Sequence, residues 1–348
     1  MTAPARSPSA AHALPHEPPA VGVRIAGTGH ALPERRLTNA DLERTLDTSD
    51  EWIVQRTGIR ERRVCDPARG EGVHTLSLGA LRAALDDARC TPQDLDLIIL
   101  STVTGNTLVP STACRIAADI GASRAAAFDL AASCSGFIYG LNIAYDLLLA
   151  GSHHTIAVVG CDAMSRIVDP SDRRTAILFG DAAGAAILRP TDDRSKGILA
   201  QSMHADGSRW RDLYLPHALA DLADGDDPDD APLHALRMRG REVYKFAVKT
   251  FSDLINETLA KANLHADAVD LFIAHQSNAR ILESARRHFG IPEEKMYVNI
   301  DHYGNSSAGS VPLCLSELRS ADRLHDGAIV LFVAFGAGLT WASSLWRV

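Results

Sequence analysis

No apolar run in the 348-residue sequence approaches the roughly 18 to 20 residues of a membrane span, so a helical membrane protein is excluded and a soluble one expected. Positive charge is also short: 35 Lys and Arg face 43 Asp and Glu, leaving a net charge of −8. That balance excludes a general nucleic-acid binder, which must neutralise phosphates, but not a local basic patch. The six cysteines (65, 90, 114, 134, 161 and 314) form no C-x-x-C pair, and none has a histidine at zinc spacing. A disulfide framework and a structural metal therefore have no support, and a reduced, cytoplasmic protein is expected. The first twenty residues lack the continuous apolar stretch of a secretory signal; their prolines and alanines predict a flexible tail over 1–20. "GTGH" (27–30) lacks the third glycine of a dinucleotide fingerprint.

With 46% hydrophobic residues, the chain can build a sizeable core as one large domain or two ordinary ones. Helical stretches alternate with short apolar runs. "TLSLGALRAALDDARC" (75–90) precedes "LDLIILSTV" (95–103), and "GFIYGLNIAYDLLLAG" (136–151) precedes "TIAVVGCDA" (155–163). That alternation predicts a layered α/β fold. The pattern also repeats. "DLDLIIL" (94–100) resembles "AVDLFIA" (268–274), and "TIAVVGC" (155–161) resembles "AIVLFVA" (328–334). Ser133-Cys134-Ser135-Gly136, shifted by 173 positions, becomes Ser306-Ser307-Ala308-Gly309. Two duplicated halves are expected, 21–194 and 195–348, joined near "RPTDDRSKG" (189–197).

Each half starts a helix at a turn of small residues, and pseudo-symmetry brings the two starts together. Gly136 and Gly309 allow close backbone approach there. Exposed amides at a helix start favour a thiolate, which places Cys134 as an activated nucleophile. His275 ends the apolar strand of the second half, and Asn305 stands just before the second helix start. A strand-terminal His is by itself an ordinary structural imidazole, and Asn an ordinary cap. Together, at matching edges of two repeats, they make a candidate site.

Several long motifs then occur in order: "TNADLERTLDTSDEWIVQRTGIRERR" (38–63), "AASCSGF" (131–137), "FGDAAGA" (179–185), "HADGS" (204–208), "HQSNARI" (275–281), "GNSSAGSVP" (304–312) and "AFGAGLTWAS" (334–343). On these, the chain from Val21 to Val348 resembles the β-ketoacyl-acyl carrier protein synthase III family of thiolase-fold condensing enzymes. The resemblance implies a duplicated α/β/α/β/α architecture, a homodimer, acyl-CoA and malonyl-acyl carrier protein as substrates, and no metal or redox cofactor. It implies that Cys134 accepts the acyl group and that amides of Cys134 and Ala337 hold the oxyanion. Neutral His275 and Asn305 donate to the enolate left by decarboxylation, and Phe335 keeps the site dry.

By the same resemblance Thr48, Trp52, Arg56, Arg173, Gly240 and Asn278 line the CoA channel. Gln276, Ser277, Asn278, Ala279, Arg280, Arg286, Arg287 and Lys245 form the landing site for the acidic carrier protein. Arg280 and Arg287 lie seven apart, and Arg241, Lys245 and Lys249 follow at helical spacing, although a charge stripe alone is usually a solvated face. Ala337 departs from the middle glycine of a common Gly-Gly-Gly turn. Val109, where relatives place a bulky aromatic reaching across the dimer, implies a roomier primer pocket. The acidic 219–232 stretch reads as a mobile loop. Beside initiation of fatty-acid synthesis stands a second reading, a starter-loading ketosynthase or acyltransferase of polyketide-type metabolism. A Cys-dependent hydrolase and a non-catalytic carrier-binding protein are the rivals from other classes.

Overall fold

Strands β2 (Leu97–Ser101) and β4 (Ile156–Ala163) are buried at every residue, as central strands covered on both faces must be. Those are the two continuous apolar runs in the first half. The structure, a computed structural model, describes residues 21–229 and 232–348. The tail over 1–20 lies outside them.

Around these strands stand β1 (Gly22–Ala31), β3 (Ala126–Leu130) and β5 (Asp181–Thr191), in the order β1-β5-β4-β2-β3. The second sheet holds β6 (Gly197–Ala205), β7 (Leu271–Ala274), β8 (Ile329–Gly336) and β9 (Thr340–Arg347), in the order β7-β8-β9-β6. In the first sheet β4 runs parallel to β2 and antiparallel to β5, which is antiparallel to β1. In the second, β8 runs parallel to β7 and antiparallel to β9, which is antiparallel to β6. The topologies match strand for strand. Only the counterpart of β3 has shrunk, to one parallel bridge between Phe272 and Met296.

Among the described residues, the helices of eight residues or more are α1 (Asp50–Thr57), α2 (Val73–Ala88), α3 (Thr112–Ile120), α4 (Gly136–Leu149), α5 (Gly240–Ala262), α6 (Ala279–Phe289) and α7 (Ser310–Ser320). Three cores separate five layers. One lies between α2 and α3 and the first sheet, and another between the second sheet and α5 and α6. The third, with Phe137, Leu141, Val311 and Leu315, packs α4 and α7 between both sheets. This is the expected α/β/α/β/α architecture.

The offset between the halves is 174 around the helix starts, not the 173 that residue identities suggested. Ser133 and Ser307 both adopt left-handed backbone, with φ of 48° and 51°. Each opens a 3₁₀ turn, Ser133–Ser135 and Ser307–Gly309, that feeds α4 or α7. Cys134 therefore matches Ala308, and Gly136 matches Ser310. Alignment by residue type missed this because the shared property is a dihedral angle. Gly136 and Gly309 do mark close approaches: an added methyl would fall 1.9 Å from Ser101 Oγ and 2.3 Å from the Ala182 carbonyl. They are not equivalents, however. The acidic stretch is anchored on its described part, where Asp226 accepts from the Tyr214 hydroxyl at 2.6 Å and pairs with Arg239 at 2.8 Å.

Candidate active site

Cys134 sits on the turn between β3 and α4 with 8% of its surface exposed. Ser135 Oγ lies 2.7 Å from Thr340 Oγ1, which also donates to the carbonyls of Ala132 and Ala337 at 3.1 Å. These bonds clamp the end of β8 and its following turn onto the Cys134 turn. A methyl on Gly336 would sit 2.7 Å from the Cys134 amide nitrogen, so the backbone approaches there only because residue 336 has no side chain. Burial pushes the Cys134 thiol up to about 12, while its hydrogen bond to Ser307 and its own amide pull the other way. The expected lowering by the helix start is therefore overturned: desolvation outweighs it, and the unliganded thiol is neutral at pH 7.

His275 follows β7 with its amide donating to the Val333 carbonyl at 2.8 Å. Its Nδ1 lies 2.8 Å from Ser310 Oγ, and Phe335 stands edge-on to the ring at 5.7 Å. Burial holds the imidazole down to about 3, so it is neutral at physiological pH. Asn305 is fixed through its backbone, donating to the Leu178 carbonyl and accepting from the Gly180 amide. Its Oδ1 accepts from Ser307 N at 2.9 Å, which assigns the remaining polar end of the carboxamide as the NH2 donor.

The three groups converge on a narrow cavity of about 100 Å³ walled by Phe246, Phe335 and Leu339. Ser277 and Asn278 line it as well, and Gly336 replaces the expected Ala337 in the lining. Val109 is not part of it. It is 84% exposed on the loop before α3, so the expected primer-pocket position is not met within one chain.

Of the expected CoA residues, Trp52, Arg56, Arg173 and Asn278 come together on an arm beside this cavity. Ser49 caps α1 by accepting from Trp52 N at 3.1 Å, and Gly58 ends it with φ 81°. Arg56 and Arg173 lie over the Trp52 ring, 5.6 and 5.0 Å from its centre. Asn278 Nδ2 donates to the Arg56 carbonyl at 3.1 Å and so ties the arm to the cavity wall. Thr48 Oγ1 is buried with no hydrogen-bond partner among the described residues, while Gly240 is exposed at the start of α5.

The expected landing site needs two corrections. Gln276 is 1% exposed, and its amide group bonds the Ala274 and Tyr297 carbonyls and the Asn299 amide, so it offers no surface contact. The arginines are not bare cations either. Glu283 pairs with both Arg286 and Arg287, and Lys245 pairs with Glu242. Arg280 stacks over Tyr244 at 5.7 Å. Sequence spacing showed the cations and missed the acids set between them. Reading by residue type also passed over Asp162, Ser307 and Ser310, whose polar atoms meet at the helix starts. Only the backbone pairing of the two halves discloses them.

Residues 128–207 match the family model for 3-oxoacyl-[acyl-carrier-protein (ACP)] synthase III, and residues 259–348 match the model for its C-terminal part. The β-ketoacyl-[acyl-carrier-protein] synthase III of Caldanaerobacter subterraneus subsp. tengcongensis is 44% identical over 325 residues, 93% of this chain and 97% of that one. The crystal structure of 3-oxoacyl-[acyl-carrier-protein] synthase III from Aquifex aeolicus VF5 is 40% identical with a TM-score of 0.86, covering 94% of this chain and 100% of that chain. The priming β-ketosynthase of the R1128 polyketide pathway is 31% identical with a TM-score of 0.86, covering 96% and 98%.

Proposed function

The chain belongs to the 3-oxoacyl-[acyl-carrier-protein] synthase III family of condensing acyltransferases, and from that premise we propose how its residues divide the reaction. Cys134 attacks the thioester of an acyl-CoA, giving an acyl-enzyme and free CoA. The developing oxyanion is met by the Cys134 amide, which Gly336 leaves uncovered, and by the amide of Ala337. Malonyl on acyl carrier protein then loses CO2. The resulting enolate oxygen is held by the Asn305 carboxamide and by neutral His275. One preorganised donor is worth roughly 3 to 4 kcal/mol to such a transition state. The carbanion attacks acyl-Cys134, and the β-ketoacyl-carrier product leaves. Each step is assigned to a side chain or amide, with no metal or redox cofactor.

The observation that carries this reading is the convergence of Cys134, His275 and Asn305, from two halves of the chain, on one buried cavity. The CoA adenine is assigned to Trp52 and its two guanidiniums. The carrier protein is assigned to the face of Ser277, Ala279, Arg280, Arg286, Arg287 and Lys245.

A homodimer also belongs to this reading. Among the described residues β3 ends its sheet with one edge unpaired, and Phe128 on it is 39% exposed. Leu108 and Val109 stand 98% and 84% exposed on the loop before α3. An open edge beside apolar side chains invites a second copy, and Val109 then reaches the partner's primer pocket. Sedimentation of the wild type and of Leu108→Asp tests it, a wild-type monomer being the contrary result.

The deciding assay incubates the protein with assorted acyl-CoAs and malonyl-carrier protein and follows Cys134 and the products by mass spectrometry. β-Ketoacyl-carrier product is expected. Acyl transfer without malonyl-dependent condensation would favour starter loading, and release of free acid would favour hydrolysis.

A further inference from the structure

We propose that Ser307, backed by Asp162, takes the proton of the Cys134 thiol during acylation. This inference rests on the reading of Cys134 as the acyl acceptor.

Ser307 touches all three groups of the site. Its hydroxyl lies 3.3 Å from Cys134 Sγ. Its amide donates to Asn305 Oδ1 at 2.9 Å, and its carbonyl lies 3.0 Å from Ser310 Oγ, the same hydroxyl that stands 2.8 Å from His275 Nδ1. The Ser307 side chain also acts on Asp162, one of whose oxygens is held by the next amide in the turn, and draws that carboxyl's affinity for a proton down. That carboxylate is wholly buried near the end of β4. One of its oxygens accepts from Thr102 Oγ1, Val103 N and Thr104 Oγ1 at 2.8 to 3.1 Å, and the other from Ala308 N at 3.3 Å. No cationic side chain pairs with it among the described residues. An ion buried on neutral donors alone is a proton acceptor held in reserve.

The resting thiol is neutral and needs an acceptor. His275 is a poor one, since burial disfavours its charged form. Burial acts on Asp162 with the opposite consequence, raising its affinity for a proton. The other titratable groups around it are the Cys134 and Cys161 thiols, and the Arg166 guanidinium stops at the Thr104 carbonyl.

The step balances. As sulfur bonds to the thioester carbon, the thiol proton passes to Ser307 Oγ while the Ser307 hydroxyl proton passes to Asp162. When the tetrahedral adduct collapses, the carbon–sulfur bond to CoA breaks and its electron pair leaves on the CoA sulfur. That sulfur, bonded to the same carbon, takes the proton back through the Ser307 hydroxyl and restores Asp162. Ser307 touches the reacting sulfur; Asp162 acts through it.

The test measures single-turnover acylation by acyl-CoA from pH 6 to 10 in the full chain, for Ser307→Ala, Asp162→Asn and both together. Thermal melts check the fold, and malonyl-carrier decarboxylation serves as the second readout. Each single variant is expected to acylate about a hundredfold more slowly at pH 7, and the pair no more slowly than either. The deficit should close as pH rises and the thiol ionises unaided, with decarboxylation kept within a few fold. Ser307→Ala retains both backbone bonds, so it decides the matter if Asp162→Asn fails to fold. Wild-type acylation with an unchanged pH profile in Ser307→Ala overturns the proposal. So does a parallel loss of decarboxylation, or losses that multiply in the pair. A wild type that accepts no acyl group from any acyl-CoA tells against the assignment of Cys134 instead.

Discussion

Cys134 and Ala308 occupy equivalent positions at the first turns of α4 and α7, and their surroundings differ in kind. Facing the Cys134 amide is Gly336, which has no side chain; at the matching place, 174 positions earlier, Asp162 sets its carboxylate on the Ala308 amide at 3.3 Å. Where the second half carries His275 at the end of its strand, the first carries Ser101, and where the second has Ser310 to meet the imidazole, the first has Gly136. Asn305 has Ala131 as its counterpart. One helix start is thus open and furnished, while its twin is sealed. A duplicated fold needs only one reaction centre, and the second set of exposed amides would be an unsatisfied polar cluster in the interior. Asp162 satisfies it.

Copying the sealed half into the open one should give the largest effect. Gly336→Asp places a side chain where even a methyl would come within 2.7 Å of the Cys134 amide and gives that amide a carboxylate to bind. Acyl-enzyme formation should fall at least a thousandfold, read by intact-protein mass spectrometry, with the fold checked by circular dichroism. Appreciable acylation in this variant would show that the Cys134 amide does not hold the oxyanion. Asn305→Ala writes the residue of the first half into the second. It should leave acyl-Cys134 formation in place and slow decarboxylation by about 10² to 10³, and normal condensation would contradict the enolate-donor role.

How far sequence reached can be seen from these same residues. Cys134, His275 and Asn305 were legible because their chemistry is unusual at strand ends and helix starts, and the α/β alternation with its repeat announced the layers. Asp162, Ser307 and Ser310 were not. Ser307 matches Ser133 through a left-handed backbone, and Asp162 matches Gly336, a pair with no common chemistry. Such equivalences are carried by hydrogen-bond register and dihedral angles, which composition and periodicity do not encode. Burial worked the same way, turning the expected low thiol pKa into a raised one and removing Gln276 from the surface.

The imidazole of the second half supplies a pH test. With His275 held at about 3, it should stay neutral from pH 5 to 8, so malonyl decarboxylation should show no histidine titration over that range. The sign for stability follows from the same shift. The unfolded chain takes a proton on this histidine below about 6.5 and the folded one only near 3, so its contribution to stability is present above 6.5 and lost as pH falls toward 3. His275→Ser, which copies Ser101, should abolish that acid-side loss. Equilibrium denaturation from pH 4 to 8 reads it, and an identical pH slope in the variant would contradict the assignment.

The smallest effects are expected away from the helix starts, where each half presents its own binding surface. The first half added α1. Trp52→Ala removes the ring that two guanidiniums share, and at about 1 to 2 kcal/mol for such contacts the KM for acyl-CoA should rise roughly tenfold with little change in kcat. In the second half the surface lies on α6, the counterpart of α3, where Arg287 is already paired with Glu283. An exposed ion pair contributes about 0 to 1 kcal/mol, and part of the Arg287 charge is answered within its own helix. Arg287→Gln should therefore raise the KM for malonyl-carrier protein only about two- to threefold. Removing the carboxylate instead, by Glu283→Gln, frees Arg286 and Arg287 together and should lower that KM, most clearly at low salt. Steady-state assays at two ionic strengths separate the cases. A rise in KM for Glu283→Gln at both would mean that α6 does not receive the carrier through its cations.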